Sequence, residues 1–498
     1  MANYVADYDV IVVGAGNAAF AAAVSARENG ADKVLVLEKA DQANRGGNTH
    51  FSGGILRFAF DDPQEIAPLL PNVDSDYLNF FEGVQPYTPA DFKSDLMRVT
   101  RGRTDPELSD YVIANSKDVV FWAHDYANIA MEPAHTIAGV EKNGVIYWPK
   151  GAIVRTEHEG VGLTAGWFKC AERDGVEIRY ETGATRIIID KKGRAAGVTT
   201  RSPAGIEDIT ANAVILACGG FEANAQWRAQ YLGGPWGHAK VRGTAHNQGD
   251  GLRMALDIGA LPYGHWGGCH ATPISAEWGD FADRRLTDKS NRLSYLFGVM
   301  INRLGRRFVD EGEDTQFYTY ARFGGEILHQ PGGVAYQIFD QRTVHLLEPR
   351  YETSTPITAN TLAELVEKLD LEDRPQALAT LNAYNAACGD PDGFDPTEKD
   401  GLTTAGVEPE KTNWATPLDS PPYAAYSATG GVTFTFGGLK VDTDARVIAT
   451  DWRPIDGLYA CGELVGGLFH YNYPGGTGLV SGMVMGRAAG RHAAQQTG

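Results

Sequence analysis

An α/β fold built on a parallel sheet, with an α+β segment inserted into it, is what three features of the 498-residue sequence predict. Near the start, the apolar run Asp9-Val-Ile-Val-Val13 is followed by a glycine turn, an alanine-rich stretch to about Asn29, and a second apolar run, Lys33-Val-Leu-Val-Leu37. Continuous apolar runs of this length suit strands buried on both faces, as in parallel sheets. Two similar runs lie far downstream, Ala213-Val-Ile-Leu-Ala217 and Gly457-Leu-Tyr-Ala-Cys461, each leading into a glycine turn. Between them, the stretch at about 263–424 is irregular, with a helix-rich part at 360–388 and a Pro/Asp/Gly-rich loop at 389–400. The expected division is a discontinuous first domain, 1–262 with 425–498, and an inserted domain, 263–424.

The first unit carries its own chemistry. Gly14-Ala15-Gly16-Asn17-Ala18-Ala19 has the G-x-G-x-x-A form of a dinucleotide fingerprint, placed between strand and helix as that function requires. Gly14 permits the tight turn, Gly16 lets the backbone approach a pyrophosphate, and Ala19 lets helix and strand pack closely. The helix presents its positive end to the phosphates. Glu38 ends the second strand, where an acid accepts hydrogen bonds from a ribose diol. With all these parts in register the prediction is a Rossmann-like domain, although the fingerprint alone does not separate NAD from FAD.

Further along, residues 61–130 show helical periodicity, as in Leu108 to Trp122, and read as a helical insertion in the first domain. Residues 176–200 alternate as antiparallel strands around a Lys191-Lys-Gly-Arg194 turn. Arg306-Arg307-Phe308 before Asp310-Glu311 reads as a turn with internal ion pairs.

Composition excludes several classes. Lys+Arg total 44 against 63 for Asp+Glu, a net charge of −19, which argues against a nucleic-acid or anionic-membrane binder. The N-terminus lacks the pattern of a secretory leader, and no apolar run is long enough for a membrane span. Cys170, Cys218, Cys269, Cys388 and Cys461 are scattered and odd in number, so reduced thiols in a cytoplasmic protein, without metal, are expected.

Glycine is in surplus, 59 of 498 residues against a usual ~7%, and it clusters. Arg45-Gly46-Gly47-Asn48 and Ser52-Gly53-Gly54 suit a loop whose amides line an extended cofactor. Gly219-Gly220 and Gly462-Glu463 follow the two downstream strands, and Tyr473-Pro-Gly-Gly476-Thr-Gly478-Leu479 opens the last helix. With these motifs, Ile301-Asn-Arg-Leu-Gly-Arg-Arg-Phe-Val309 and Thr435-Phe-Gly-Gly-Leu439, the whole chain resembles the flavoprotein family of succinate dehydrogenases, fumarate reductases and 3-ketosteroid dehydrogenases. Within it, the FAD-dependent tricarballylate dehydrogenases are the most alike.

The resemblance implies FAD, its reactive N5 facing a cap domain. The expected contacts are Gly14, Gly16, Asn17, Ala18, Glu38 and Lys39 from the first unit, and Arg45, Gly46, Gly47, Asn48, Ser52, Gly53 and Gly54 from the next loop. Ala217, Gly219, Gly220, Gly462, Glu463, Gly476, Gly478 and Leu479 complete the set. Glu463 is placed to hold a ribityl hydroxyl, and the last helix to stabilise negative charge on reduced flavin. His50 is a conceivable covalent attachment point, but its surroundings do not match the attachment motif of succinate dehydrogenases.

The implied reaction is oxidation of a CH–CH bond beside a carbonyl or carboxylate, which needs a base, a donor for the enolate oxygen, and flavin to take the hydride. Tyr473 stands where fumarate reductases carry a carboxylate-holding arginine and 3-ketosteroid dehydrogenases a ketone-holding tyrosine. Phe434 and Thr435 stand where fumarate reductases place a carboxylate-binding histidine. His270 resembles the family's substrate-contacting histidine, and Arg292 and Tyr295 lie near the place of its proton-shuttling arginine; Tyr318 and Tyr320 are lesser candidates. The expected substrate is a tricarballylate-like acid or a cyclic ketone or keto acid, with the electron acceptor (oxygen, quinone or a redox protein) left open. The alternatives are a fumarate-type reductase running the reverse reaction and a non-catalytic flavin-binding protein.

Overall fold

The structure is a computed structural model that describes residues 6–71, 73, 77 and 79–496. Strand β1 (Tyr8–Val13) leads into helix α1 (Asn17–Glu28) and strand β2 (Val34–Leu37). All four residues of β2 and the last four of β1 are buried, as strands covered on both faces must be. The expected helical insertion contains α2 (Pro89–Val99), α3 (Pro106–Ala114) and α4 (Ser116–Asp125); residues 72, 74–76 and 78 of that stretch lie outside the described residues. Asp105 caps α3 and Thr88 caps α2, each supplying an acceptor to otherwise unpaired amides.

Helix α5 (Glu159–Arg173) returns the chain to the sheet through β3 (Glu177–Arg179). Sequence reading put 176–180 in an antiparallel pair, but β3 pairs parallel with β2 at the edge of the main sheet. The antiparallel pair is β4 (Gly183–Ile189) with β5 (Ala195–Ser202), and β5 then pairs with β6 (Gly205–Leu216). The second half of β6 pairs parallel with β1, Val10 opposite Ala213 through Val13 opposite Leu216.

The second sheet begins at a short strand, Lys240–Val241. Its long members are β7 (Pro262–Ser275), β8 (Val299–Asn302), β9 (Val334–Phe339) and β10 (Tyr423–Leu439), with β10 pairing antiparallel to both β7 and β9. Its two longest strands thus straddle the boundaries at 263 and 424, which stand as our proposed limits of the inserted domain. Helix α6 (Gln316–Leu328) crosses this sheet, close enough that a Cβ on Gly324 would overlap the Ala271 carbonyl. Helices α7 (Leu362–Lys368) and α8 (Arg374–Ala387) cover the helix-rich part. Arg307 and Glu311 form a fully buried ion pair.

The chain re-enters the first sheet with β11 (Arg446–Ile448) and β12 (Pro454–Ala460), the latter parallel to β6. Helix α9 (Thr477–Gln495) then packs along α1. Its Gly486 and Gly490 lie against the Ala18 and Ala22 carbonyls, where any side chain would collide, so the alanines of α1 and the glycines of α9 let two backbones touch. Asn17 Nδ2 donates to the Leu479 carbonyl at 2.8 Å and Ser25 Oγ to that of Arg487 at 2.8 Å. Both ends of the chain therefore build one surface.

Candidate active site

Two cavities share Asn48, Thr49 and Glu463 as walls. The smaller, about 140 Å³, lies at the ends of β1, β2 and β6 and is lined by Gly14, Gly16, Ala18, Glu38, Lys39, Gly47, Ala217 and Gly219. Gly14 has φ +110° and sits on the Ala217–Cys218 backbone, a conformation and a contact that only glycine tolerates. Gly16 has no side chain to cap α1, and the Asn17 amide at its start donates to Thr49 Oγ1 at 2.9 Å, on the wall the two cavities share. Glu38 is 7% exposed, and the hydrogen bond recorded for its side chain is from the Ala40 amide at 2.8 Å. Burial raises its pKa, so it gains from a donor such as a ribose hydroxyl.

The larger cavity, about 220 Å³, is lined by Asn17, Ser52, Gly53, Gly54, Gly462, Gly476, Gly478 and Leu479 on its first-domain side. Helix α9 opens here at Gly476 (φ +88°), with no side-chain cap and no acid in its first turn, so its positive end is unopposed. An unopposed helix end, the buried acceptor Glu38 and two cavities that share walls fit FAD. Arg45, Gly46 and Gly220 line neither cavity. Arg45 stacks on Phe168, 4.1 Å from the ring centroid, and donates to Tyr180 at 3.0 Å. Gly46 packs against Thr164 and Gly220 against Glu463 and Thr435. His50 is also off both walls, its ring nitrogens each 3.2 Å from Arg284.

Sequence reading missed Glu222. It is wholly buried and accepts at Oε1 from Asn48 Nδ2 at 2.6 Å and from Asn247 Nδ2, while its Oε2 receives no donor among the described residues and the carboxyl of Glu463 is its neighbour. Burial and then the Glu463 charge push its pKa well up, and burial raises Glu463 as well, so the pair holds a proton between them. Glu463 also accepts from the Thr435 amide at 2.6 Å, which fixes the carboxyl against the cavity.

The other side of the larger cavity is aromatic and comes from both proposed domains. Phe434, Phe436 and Phe469 line it with Phe317, Tyr320 and Tyr473. Tyr320, on α6, is hydrogen-bonded through its phenol to the phenol of Tyr473. Burial raises both pKa values, so both phenols keep their protons; either can donate to the other, and with Tyr320 donating the Tyr473 hydroxyl can donate onward. His270 joins this cluster behind the wall, stacked on Phe434 at 5.2 Å and edge-on to both tyrosines. Burial, then Arg242, hold its pKa well below the ordinary value, so the ring is neutral.

Arg242, another residue that sequence reading missed, lines the same cavity. It donates to the Thr433 hydroxyl at 3.0 Å and the Phe51 carbonyl at 2.7 Å, and among the described residues no ion pair engages it. Arg350 also lines the cavity, but it is paired with both Asp288 and Glu348. No local pattern marks either in the sequence: Arg242 directly follows the short strand Lys240–Val241, and Arg350 sits in the helical turn Pro349–Thr353.

Of the four expected catalytic residues only Tyr473 lines the cavity; His270 lies behind its wall, and the assignments of Tyr295 and Arg292 are corrected. Tyr295 is buried in a separate core, 4.9 Å from the Phe323 ring, its phenol bonded to Thr319 at 2.6 Å. Arg292 is spent on the Asn291 and Arg350 carbonyls, at 2.7 and 3.0 Å, and on Ser354 at 2.6 Å. Both precede β8, are fully buried, and are turned into these contacts instead of onto the cavity wall.

The family profile described as "FAD binding domain" matches residues 9–480. The chain belongs to this FAD-binding family, among the succinate dehydrogenase and fumarate reductase flavoproteins. It is an FAD-dependent oxidoreductase acting on CH–CH groups. Among its relatives, a cytochrome-type fumarate reductase of Shewanella frigidimarina is 28% identical, covering 98% of this chain and 77% of the relative. The 4-oxocyclohexanecarboxylate 2-dehydrogenase of Sinomonas cyclohexanicum is 29% identical, over 98% and 93% of the two chains. The fold is shared with 3-ketosteroid Δ1-dehydrogenase from Sterolibacterium denitrificans, at 22% identity and a TM-score of 0.75 over 98% and 99% of the chains.

Proposed function

We propose that this protein is a dehydrogenase that introduces a C=C bond beside the ketone of an apolar cyclic keto acid. The observation that carries the reading is one aromatic-walled cavity holding both a linked phenol pair, Tyr320–Tyr473, and an arginine without an ion-pair partner, Arg242. A phenol that accepts from a second phenol is a better donor to a ketone oxygen, and it strengthens as that oxygen becomes an enolate. Arg242 suits a single carboxylate. A tricarballylate-like substrate would need several free cations, whereas Arg350 is already neutralised by Asp288 and Glu348. The aromatic walls suit a ring and exclude water. FAD, when bound, supplies the hydride acceptor.

The relative named for 4-oxocyclohexanecarboxylate supports a substrate with one ketone and one carboxylate. The fumarate reductase relatives favour a second reading, reduction of an unsaturated acid. Anaerobic mixing decides between them. Bleaching of the flavin band near about 450 nm by 4-oxocyclohexanecarboxylate, and not by tricarballylate, is expected. No bleaching by any keto acid, with reoxidation of dithionite-reduced enzyme by fumarate, overturns the proposal.

A further inference from the structure

The reading above leaves one charged group on the cavity wall without a task. Asp288 is 1% exposed and lines the larger cavity beside Arg350 and Asn291. Its Oδ2 is paired with Arg350, but its Oδ1 is buried and receives no donor among the described residues. A buried oxygen in that state is costly unless a proton reaches it. The carboxyl within reach is that of Glu159, at the start of α5. Glycines make room for this meeting: a Cβ on Gly53 would stand 2.8 Å from Asp288 Oδ2, and one on Gly54 would stand 2.9 Å from the Glu159 backbone.

The contacts continue outward. Arg155 Nη1 donates to Glu159 at 3.2 Å and its Nε to Glu132 at 2.8 Å, and the side-chain exposure of these acids rises from 18% at Glu159 to 34% at Glu132. Arg155 stays charged and only holds these acids, but Glu159, with its side chain 18% exposed, itself links the cavity wall to solvent. The tyrosines are unsuited to be the base, because burial keeps both phenols protonated. Arg242 stands close enough to Asp288, Tyr320 and Tyr473 to feel the charge of each, which places the carboxylate and the phenols around one space.

We propose that Asp288 is the base that takes the substrate's α-proton and that Glu159 is the positioning residue that passes it to solvent. This rests on the dehydrogenase reading above. The α C–H bond breaks, its proton goes to Asp288, and its electron pair forms the enolate whose oxygen Tyr473 holds. As the β-hydride leaves with two electrons to FAD, the oxidant, the enolate returns to a ketone conjugated with the new C=C bond. The proton then moves to Glu159 and out to water, while Arg350 holds the Asp288 carboxyl in place. Burial, then the Asp288 charge, raise Glu159 to about 7, so turnover rises with pH through neutrality as Glu159 ionises and becomes able to accept the proton.

The test uses FAD-loaded enzyme with 4-oxocyclohexanecarboxylate in D₂O without oxygen, following flavin bleaching by absorbance and deuterium entry beside the ketone by NMR. Asp288→Asn is expected to lose both by ~10²–10⁴-fold while keeping its FAD and its reduction by dithionite. Glu159→Gln is expected to lose about tenfold in rate and the rise near neutral pH; it carries the test alone if Asp288→Asn cannot hold FAD. Exchange by Asp288→Asn within about threefold of the parent, or an unchanged pH profile in Glu159→Gln, overturns the assignment. If the parent enzyme ignores keto acids but reduced enzyme is reoxidised by fumarate, the substrate reading alone has failed. Asp288→Asn must then slow that reoxidation at least ~10²-fold, and an unchanged rate sinks the base as well.

Discussion

The phenol oxygens of Tyr320 and Tyr473 are hydrogen-bonded to each other across the join between the two proposed domains. Tyr320 belongs to α6, which lies on the second sheet, and Tyr473 to the turn that opens α9 against the first. The donor group we propose for a substrate ketone is therefore complete only when both parts of the chain are in place. Arg57 reinforces the turn, donating from Nε to the Gly475 carbonyl at 2.7 Å.

Tyr473→Phe is expected to lower kcat by about 10²–10³, as loss of one oxyanion donor does, with FAD content unchanged. Tyr320→Phe leaves the Tyr473 hydroxyl but removes its polarising partner, and the smaller loss is about tenfold. The double variant should be little worse than Tyr473→Phe alone, since the two phenols act as a unit. Steady-state rates and flavin absorbance of the three variants check this.

Arg242→Gln keeps a donor for the Phe51 carbonyl but removes the charge. KM for a keto acid should rise roughly 10–100-fold, the worth of a charged hydrogen bond of about 1.5–3 kcal/mol, while KM for neutral cyclohexanone stays the same. Equal losses for both ketones would remove Arg242 from carboxylate binding.

Glu38→Ala should weaken FAD binding by roughly 10–100-fold, because the ribose diol loses its buried acceptor. Titration of apoprotein with FAD, read by quenching of flavin fluorescence, measures the change.

Glu222 gives the protein a pH dependence that can be read from stability. Its pKa in the fold lies well above the ordinary 4.5, so the favourable term is fully present below about pH 4.5 and fades as pH rises toward the folded value. Each unit of that rise is worth about 1.4 kcal/mol. Thermal unfolding of the apoprotein should therefore show Glu222→Gln more stable than the parent on the alkaline side, with the difference closing toward acid pH. A constant difference at every pH would mean that Glu222 does not hold its proton in the fold.

The amino-acid sequence by itself determined the parallel core and most of the cofactor site. Asp9–Val13 and Lys33–Leu37 are uninterrupted apolar runs, and the glycines between and after them have backbone roles that residue type alone announces. Gly14 and Gly476 take left-handed conformations, and such demands are local, so they are visible in one dimension. Only the tertiary structure decided the substrate side. Tyr295 and Arg292 sit near the expected motif in sequence, yet packing turns them into the core of the second sheet. Arg242, Asp288 and Tyr320 come from three unrelated segments that meet only when α6 and the second sheet close over the first. A charge becomes useful there through what it fails to pair with after burial, and that depends on neighbours far away in the chain. Spacing along the sequence carries no record of those neighbours, which is why the cofactor and Tyr473, which stand in motifs, were legible while Arg242 and Asp288 were not.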